Sequence, residues 1–316
     1  MKLLKIFLIL IIILAVAVGG IIATDYFSDG FDIGVFDNAD MQESTYEITD
    51  SYAKLSVVAM VADVEIIVND ASVTKIETKT REGLGFAYEK DGDTLRIFQK
   101  DERKWYQKTG IFAKHNTLKI YLSNDFSGDI SIKNDTGDIT ASGISANNLK
   151  IEGETGDIKI TDLVSQNFEL ETETGNITIE NINALKVDVS GETGDISLNN
   201  LNCQNLEVEN ETGCVSLNAV AVEGSVNLEN ETGDIDINGL YATNINIKND
   251  TGNVEFTDFD GKDIKIETDT GDVTGKINTP KLYEAHTSTG EVSVPRSEPV
   301  DSRCYIRTHT GDITIS

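Results

Sequence analysis

The residues of this chain best placed to do chemistry are carboxylates at a fixed interval. Asp135, Glu154, Glu173, Glu192, Glu211, Glu231, Asp250 and Asp269 each stand two residues before a glycine. Two kinds of chemistry use such groups. Oxygen ligands converging on a point bind a hard cation such as Ca2+. Paired carboxylates cleave glycosidic bonds. The pattern weighs against the second, because a catalytic centre is one exceptional constellation with shifted acids and bases. Here the same acid recurs unit after unit. The histidines His115, His286 and His309 are scattered, and no serine-nucleophile motif, P-loop or dinucleotide fingerprint occurs. The expectation is therefore no enzyme, no catalytic residue and no cofactor, with a glycan-cleaving β-helix enzyme as the lowest-ranked alternative. Glu154, Glu173, Glu192, Glu211, Glu231, Asp250 and Asp269 stay as candidates for a weak Ca2+ column. One carboxylate per unit is a thin ligand set, and the calcium nonapeptide repeat is absent. Solvated charge is the stronger expectation.

The glycines themselves set the frame. Thr-Gly recurs ten times, at Gly137, Gly156, Gly175, Gly194, Gly213, Gly233, Gly252, Gly271, Gly290 and Gly311. The spacing is 19 residues except for one interval of 20 and one of 21. Such a period marks stacked structural units. Numbered from each glycine, apolar residues fall at −7, −5, +2 and +4, as in Phe168, Leu170, Ile177 and Ile179 around Gly175. Spacing of two is strand spacing with one face buried. Each unit thus holds two strands with a Thr-Gly corner between them: Thr155-Gly156, Thr174-Gly175, Thr193-Gly194, Thr232-Gly233, Thr251-Gly252 and Thr270-Gly271 among others. Glycine suits a corner that needs positive φ, and the threonine hydroxyl can bond the turn. Position +1 is mostly Asp or Asn, which satisfies turn amides. At −3, Asn210, Asn230 and Asn249 fall in three successive units and would form an amide ladder if like stacks on like.

These readings predict an all-β fold, a parallel β-helix or β-solenoid of about ten 19-residue coils with a β-rich N-terminal cap and an N-terminal transmembrane helix. A meander of antiparallel Thr-Gly hairpins is the second architecture. The expected division is 1–24 transmembrane anchor or signal segment, 25–50 acidic flexible linker, 51–128 β-rich cap and 129–316 solenoid repeats. Residues 6–23 carry no charge and follow Lys2 and Lys5. That length just spans a bilayer, and the basic flank stays inside, which puts the body outside the cytoplasm of a single-pass membrane protein. A cleaved signal peptide, with Ala15-Val16-Ala17 as the site, is the rival.

The formal charge of −28 excludes nucleic acid as a partner. It allows cationic peptides, a cell-wall polymer or another protein. Cys203, Cys214 and Cys304 form no disulfide framework or zinc spacing. One stretch departs from the acidic background. Arg103, Lys104, Trp105, Tyr106 and Lys108 combine basic and aromatic groups and form the best localised contact candidate. The last strand, Ile313–Ser316, has no polar cap and is a candidate edge for self-association.

The phrases Thr136-Gly137-Asp138-Ile139, Thr155-Gly156-Asp157-Ile158 and Thr193-Gly194-Asp195-Ile196, with Ala62-Asp63-Val64-Glu65-Ile66 and Leu118–Leu122, resemble the DUF4097 family. Its members are anchored bacterial envelope proteins with β-strand repeats, labelled adhesins. The resemblance covers roughly residues 50–316. It implies a β-helix-like exported domain acting in adhesion or envelope-stress sensing, and it brings no catalytic residues.

Overall fold

The computed structural model describes residues 41–70, 72–103 and 116–316. The expected membrane segment lies outside them, and no helix occurs among the described residues. The repeats form a parallel β-solenoid in which like stacks on like. Ile158, Ile160, Phe168 and Leu170 lie beside Ile177, Ile179, Val187 and Val189, and the same match recurs from coil to coil. The hairpin alternative fails, since every pairing between repeat coils is parallel.

Each coil has three sides. Along Ile158–Thr174 the pairing with the next coil lapses at Asp162, Gln166 and Glu173. The Thr-Gly corner has glycine φ from 124° at Gly137 to 150° at Gly271. A second corner sits at +6, where Asp162, Asn181, Asn200, Ala219 and Asp258 hold φ between 51° and 59°. Asp and Asn tolerate that left-handed conformation better than other side chains. The one extra residue of the 20-residue interval is absorbed at the third bend, where register shifts between Cys203 and Asn205 opposite Val222 and Ser225.

The corner glycine is demanded twice. Its φ is positive, and a Cβ at Gly194 would stand 2.1 Å from the Gly175 carbonyl oxygen of the adjacent coil. Inward apolar side chains at −7, −5, +2 and +4 are buried from coil to coil, except in the coil at Gly290, and make one continuous core. Leu149, Phe168, Val187, Leu206, Val226, Ile245 and Ile264 are its −7 column, each at most 3% exposed.

Three boundaries differ from expectation. The solenoid begins before residue 129. Lys54–Val61 and Asp63–Asn69 are a full coil stacked in parallel on Asp129–Thr136 and Ile139–Ser142. Its corner is Ala62, and Leu55, Val57, Val64 and Ile66 occupy the −7, −5, +2 and +4 places. Beyond it lie Thr94–Asp101 and Thr117–Ser123, also parallel. Only then do antiparallel strands close the end: Leu84–Asp91 on one side, Thr74–Arg81 and Met41–Ile48 on the other. Met41–Ile48 is therefore a strand and no tether, because Thr74–Arg81 offers it a free edge to pair with and its Ile48 enters the core.

The chain terminus is the third difference. After Thr270 the next layer in space is Arg303–Thr310, and Leu282–Thr289 lies outside that. Likewise Ile313–Ile315 is held between Val273–Ile277 and Val292–Ser293. The expected open edge at Ile313–Ser316 is paired on both sides. The free edge at this end belongs to Leu282–Thr289.

Candidate functional site

The outer carboxylates form columns. Glu173, Glu192, Glu211 and Glu231 make one, and Glu171, Glu209 and Glu229 run beside it on alternate outward positions. Together they line a shallow groove of about 260 Å³, with Lys248 at its end. All are exposed or half-buried, so water screens them and their mutual repulsion is moderate. Among the described residues no group of three or more His, Cys, Asp or Glu side chains is arranged to hold a metal ion. The acids that line the groove stand at repeated positions of successive coils, in two parallel columns with Ser190 interrupting one of them.

Lysines cross-link neighbouring positions on this side. Lys150 reaches Glu169 at 2.6 Å and Glu152 at 3.2 Å, and those bonds hold its ammonium above the usual lysine range. Lys186 with Asp188 and Lys248 with Asp250 behave alike. Exposed pairs of this kind contribute little to stability.

A second line of polar groups follows the corner. Asp138 Oδ1 accepts the Asp157 amide at 2.9 Å, Asp157 the Asn176 amide at 2.8 Å, and Asn176 the Asp195 amide at 3.0 Å. The +1 residues do satisfy corner amides, but those of the next coil. The threonines enter through their carbonyls: Thr174 accepts from Gly156 N–H at 2.9 Å. Among the described residues no corner threonine hydroxyl bonds the turn backbone. The inward asparagines form a ladder at one step, Asn230 to Asn249 at 3.2 Å. Otherwise they cap buried corner carbonyls, as Asn230 does at Gly233 and Asn134 at Gly137 and Ala62. A buried carbonyl needs a donor more than an amide needs its twin.

Of the basic-aromatic cluster, Arg103 alone is described; Lys104, Trp105, Tyr106 and Lys108 lie outside the described residues. Arg103 grips Asp101 through Nε at 2.9 Å and a terminal nitrogen at 3.1 Å, and both side chains are largely buried. It is spent on the fold. The three cysteines are free. Burial pushes the Cys203 and Cys304 thiols up to about 12, which leaves them unreactive; Cys214 is exposed. At the far end, Lys281 is buried and pairs with Asp260 at 2.6 Å. Nearby, exposed Tyr241 bonds Asp258, which lowers that carboxyl, and Asn278 bonds it too.

The described residues thus form a parallel solenoid whose outward polar groups repeat in columns. The chain belongs to the Toastrack DUF4097 family, whose model matches residues 52–239 and 186–316. Its fold is similar to a protein named as a putative adhesin from Parabacteroides merdae, with TM-score 0.49, 12% identity, and cover of 88% of this chain and 97% of that one. It is also similar to one so named from Bacteroides fragilis, at TM-score 0.41, 15% identity and cover of 88% and 97%. A third, named as a putative lipid binding protein from Parabacteroides distasonis, gives TM-score 0.35, 18% identity and cover of 88% and 98%. No curated protein matches the chain.

Proposed function

We propose that the chain is a non-catalytic recognition module of the cell envelope. Residues 6–23 anchor it in the membrane and the solenoid stands outside the cytoplasm. Its acidic side receives basic chemistry, either cationic peptide segments or a cationic envelope polymer. One observation carries this reading. The outward residues of the described coils repeat from coil to coil, giving an extended face of like chemistry that includes a shallow acidic groove. Family membership supports an envelope role through the resemblance already drawn, but a fold does not by itself fix a function.

The test uses the full chain in detergent, presented to isolated cell walls, anionic liposomes and a polycationic peptide. Binding to the peptide or wall that weakens steeply with salt is the expected result. Turnover of any member of a polysaccharide panel would replace this reading with the enzymatic one.

A further inference from the structure

The end of the stack furthest from Met41 carries an edge that the fold leaves unpaired. Leu282–Thr289 pairs on one side with Arg303–Thr310. Leu282 N–H donates to the Ser302 carbonyl at 2.9 Å, so alternation turns the backbone groups of Tyr283, Ala285 and Thr287 the other way. Ser297 closes over the first. Its Oγ accepts from Tyr283 N–H at 3.0 Å and donates to the Tyr283 carbonyl at 3.3 Å. Ala285 and Thr287 have no such backbone partner among the described residues. The strand contains no proline, lysine or bulge, the usual devices that blunt an edge. Of the eight large apolar residues exposed on the described surface, Leu282, Val292 and Val300 all belong to this end, which marks it as unfinished.

We infer that this edge joins the same edge of a second copy, antiparallel, about a twofold axis with His286 opposite His286. The backbone selects that register. It sets Ala285 of each strand opposite Thr287 of the other, so all four free N–H groups and carbonyls pair. Setting Ala285 opposite itself would drive Thr287 against the Tyr283 groups that Ser297 already holds. On the outer face, Glu284 of each copy lies diagonal to the other copy's histidine, within reach of a side-chain contact. On the inner face Ala285 and Thr287 are small and admit close approach.

Charge selects the occupant. The edges at the other end carry Glu43 and Glu47 on Met41–Ile48, and Glu89 and Asp91 against a single Lys90 on Leu84–Asp91. They offer Glu284 like charge. Joining tip to tip also keeps two bodies of charge −28 as far apart as a contact allows. The two rods become collinear, with their N-terminal ends outermost. If residues 6–23 sit in membrane, a clause that rests on the function proposed above, the pair bridges two apposed surfaces.

The test uses the full chain in detergent with Cys214→Ser as background. His286→Cys should form a disulfide dimer with itself, since directly opposed residues of this kind have Cα atoms about 4.5 Å apart, inside the bridging range. Glu284→Cys should not cross-link to itself but should cross-link to Ser288→Cys. Ala285→Pro, which removes an edge amide and no ladder bond, should weaken dimerisation at least tenfold by sedimentation equilibrium. Absence of the His286→Cys dimer overturns the inference, as does self-linking of Glu284→Cys with equal yield. Liposomes carrying the chain separate the two claims. Cross-linking in detergent without liposome clustering removes the bridging clause and retains the edge pairing.

Discussion

Asp63, Asp138, Asp157, Asn176 and Asp195 each pass a carboxylate or amide oxygen to the corner amide of the next coil, over 2.8–3.1 Å. The line breaks at Cys214. Its thiol does not accept the Asp234 amide, which has no acceptor among the described residues, and the line resumes from Asp234 to Asn253 at 2.7 Å. Cys214→Asn would restore the missing oxygen without adding a charge between Asp195 and Asp234. It should stabilise by about 0.5–1.5 kcal/mol, the net worth of one such bond, read as a raised urea midpoint. Gly194→Ala at the same corner should do the reverse. It puts a Cβ 2.1 Å from a backbone oxygen at φ 141°, and the strained φ alone costs about 1–3 kcal/mol. If the alanine variant melts with the parent, the coils are not stacked at this corner. Sequence showed this corner clearly because only glycine fits it. The corner at +6 was not read from the sequence: Asp162, Asn181 and Asn200 occupy it, but Ala219 and Gly239 interrupt the pattern, so it carries no invariant residue.

At the scale of the element, what the sequence concealed was order. The apolar spacing around Ala62 repeats that of every Thr-Gly unit, and a search keyed on the corner phrase passes over it. The place of Leu282–Thr289 outside Arg303–Thr310 leaves no local mark, because parallel strands with the same inward pattern fit equally well in either layer. Pro280, Pro295 and Pro299, with the 21-residue interval from Gly290 to Gly311, mark a departure here without showing the order of the layers. The swapped order predicts an inverted protection pattern. Amides of Arg303–Thr310 and Ile313–Ile315, paired on both flanks, should exchange more slowly than those of Leu282–Thr289, although they end the chain. Hydrogen exchange read by mass spectrometry on peptides from the two segments distinguishes them. Fraying from the C-terminus inward would mean the layers follow chain order.

Among the described residues, twelve parallel layers stack from Thr94–Asp101 to Leu282–Thr289, roughly 50–60 Å at strand spacing. A rod of that kind puts like charges at the same azimuth in every layer. With a formal charge of −28, the columns repel along their length, and the interlayer lysine bridges offset only part of it. Salt should therefore stabilise the fold. Raising NaCl from about 0.01 M to about 0.5 M shortens the screening length from roughly 30 Å to roughly 4 Å, from several layers to about one. The melting temperature should climb over that range, and most steeply at its low end. The same titration with CaCl2 at matched ionic strength decides what the Glu154–Asp269 column is. Diffuse screening gives the calcium curve only the modest lead expected of any divalent ion, Mg2+ included. A coordinated site gives a saturable rise with Ca2+ that Mg2+ does not reproduce, because Mg2+ demands a tighter octahedral shell. That second outcome would restore the carboxylates as ligands and overturn their reading as solvated charge.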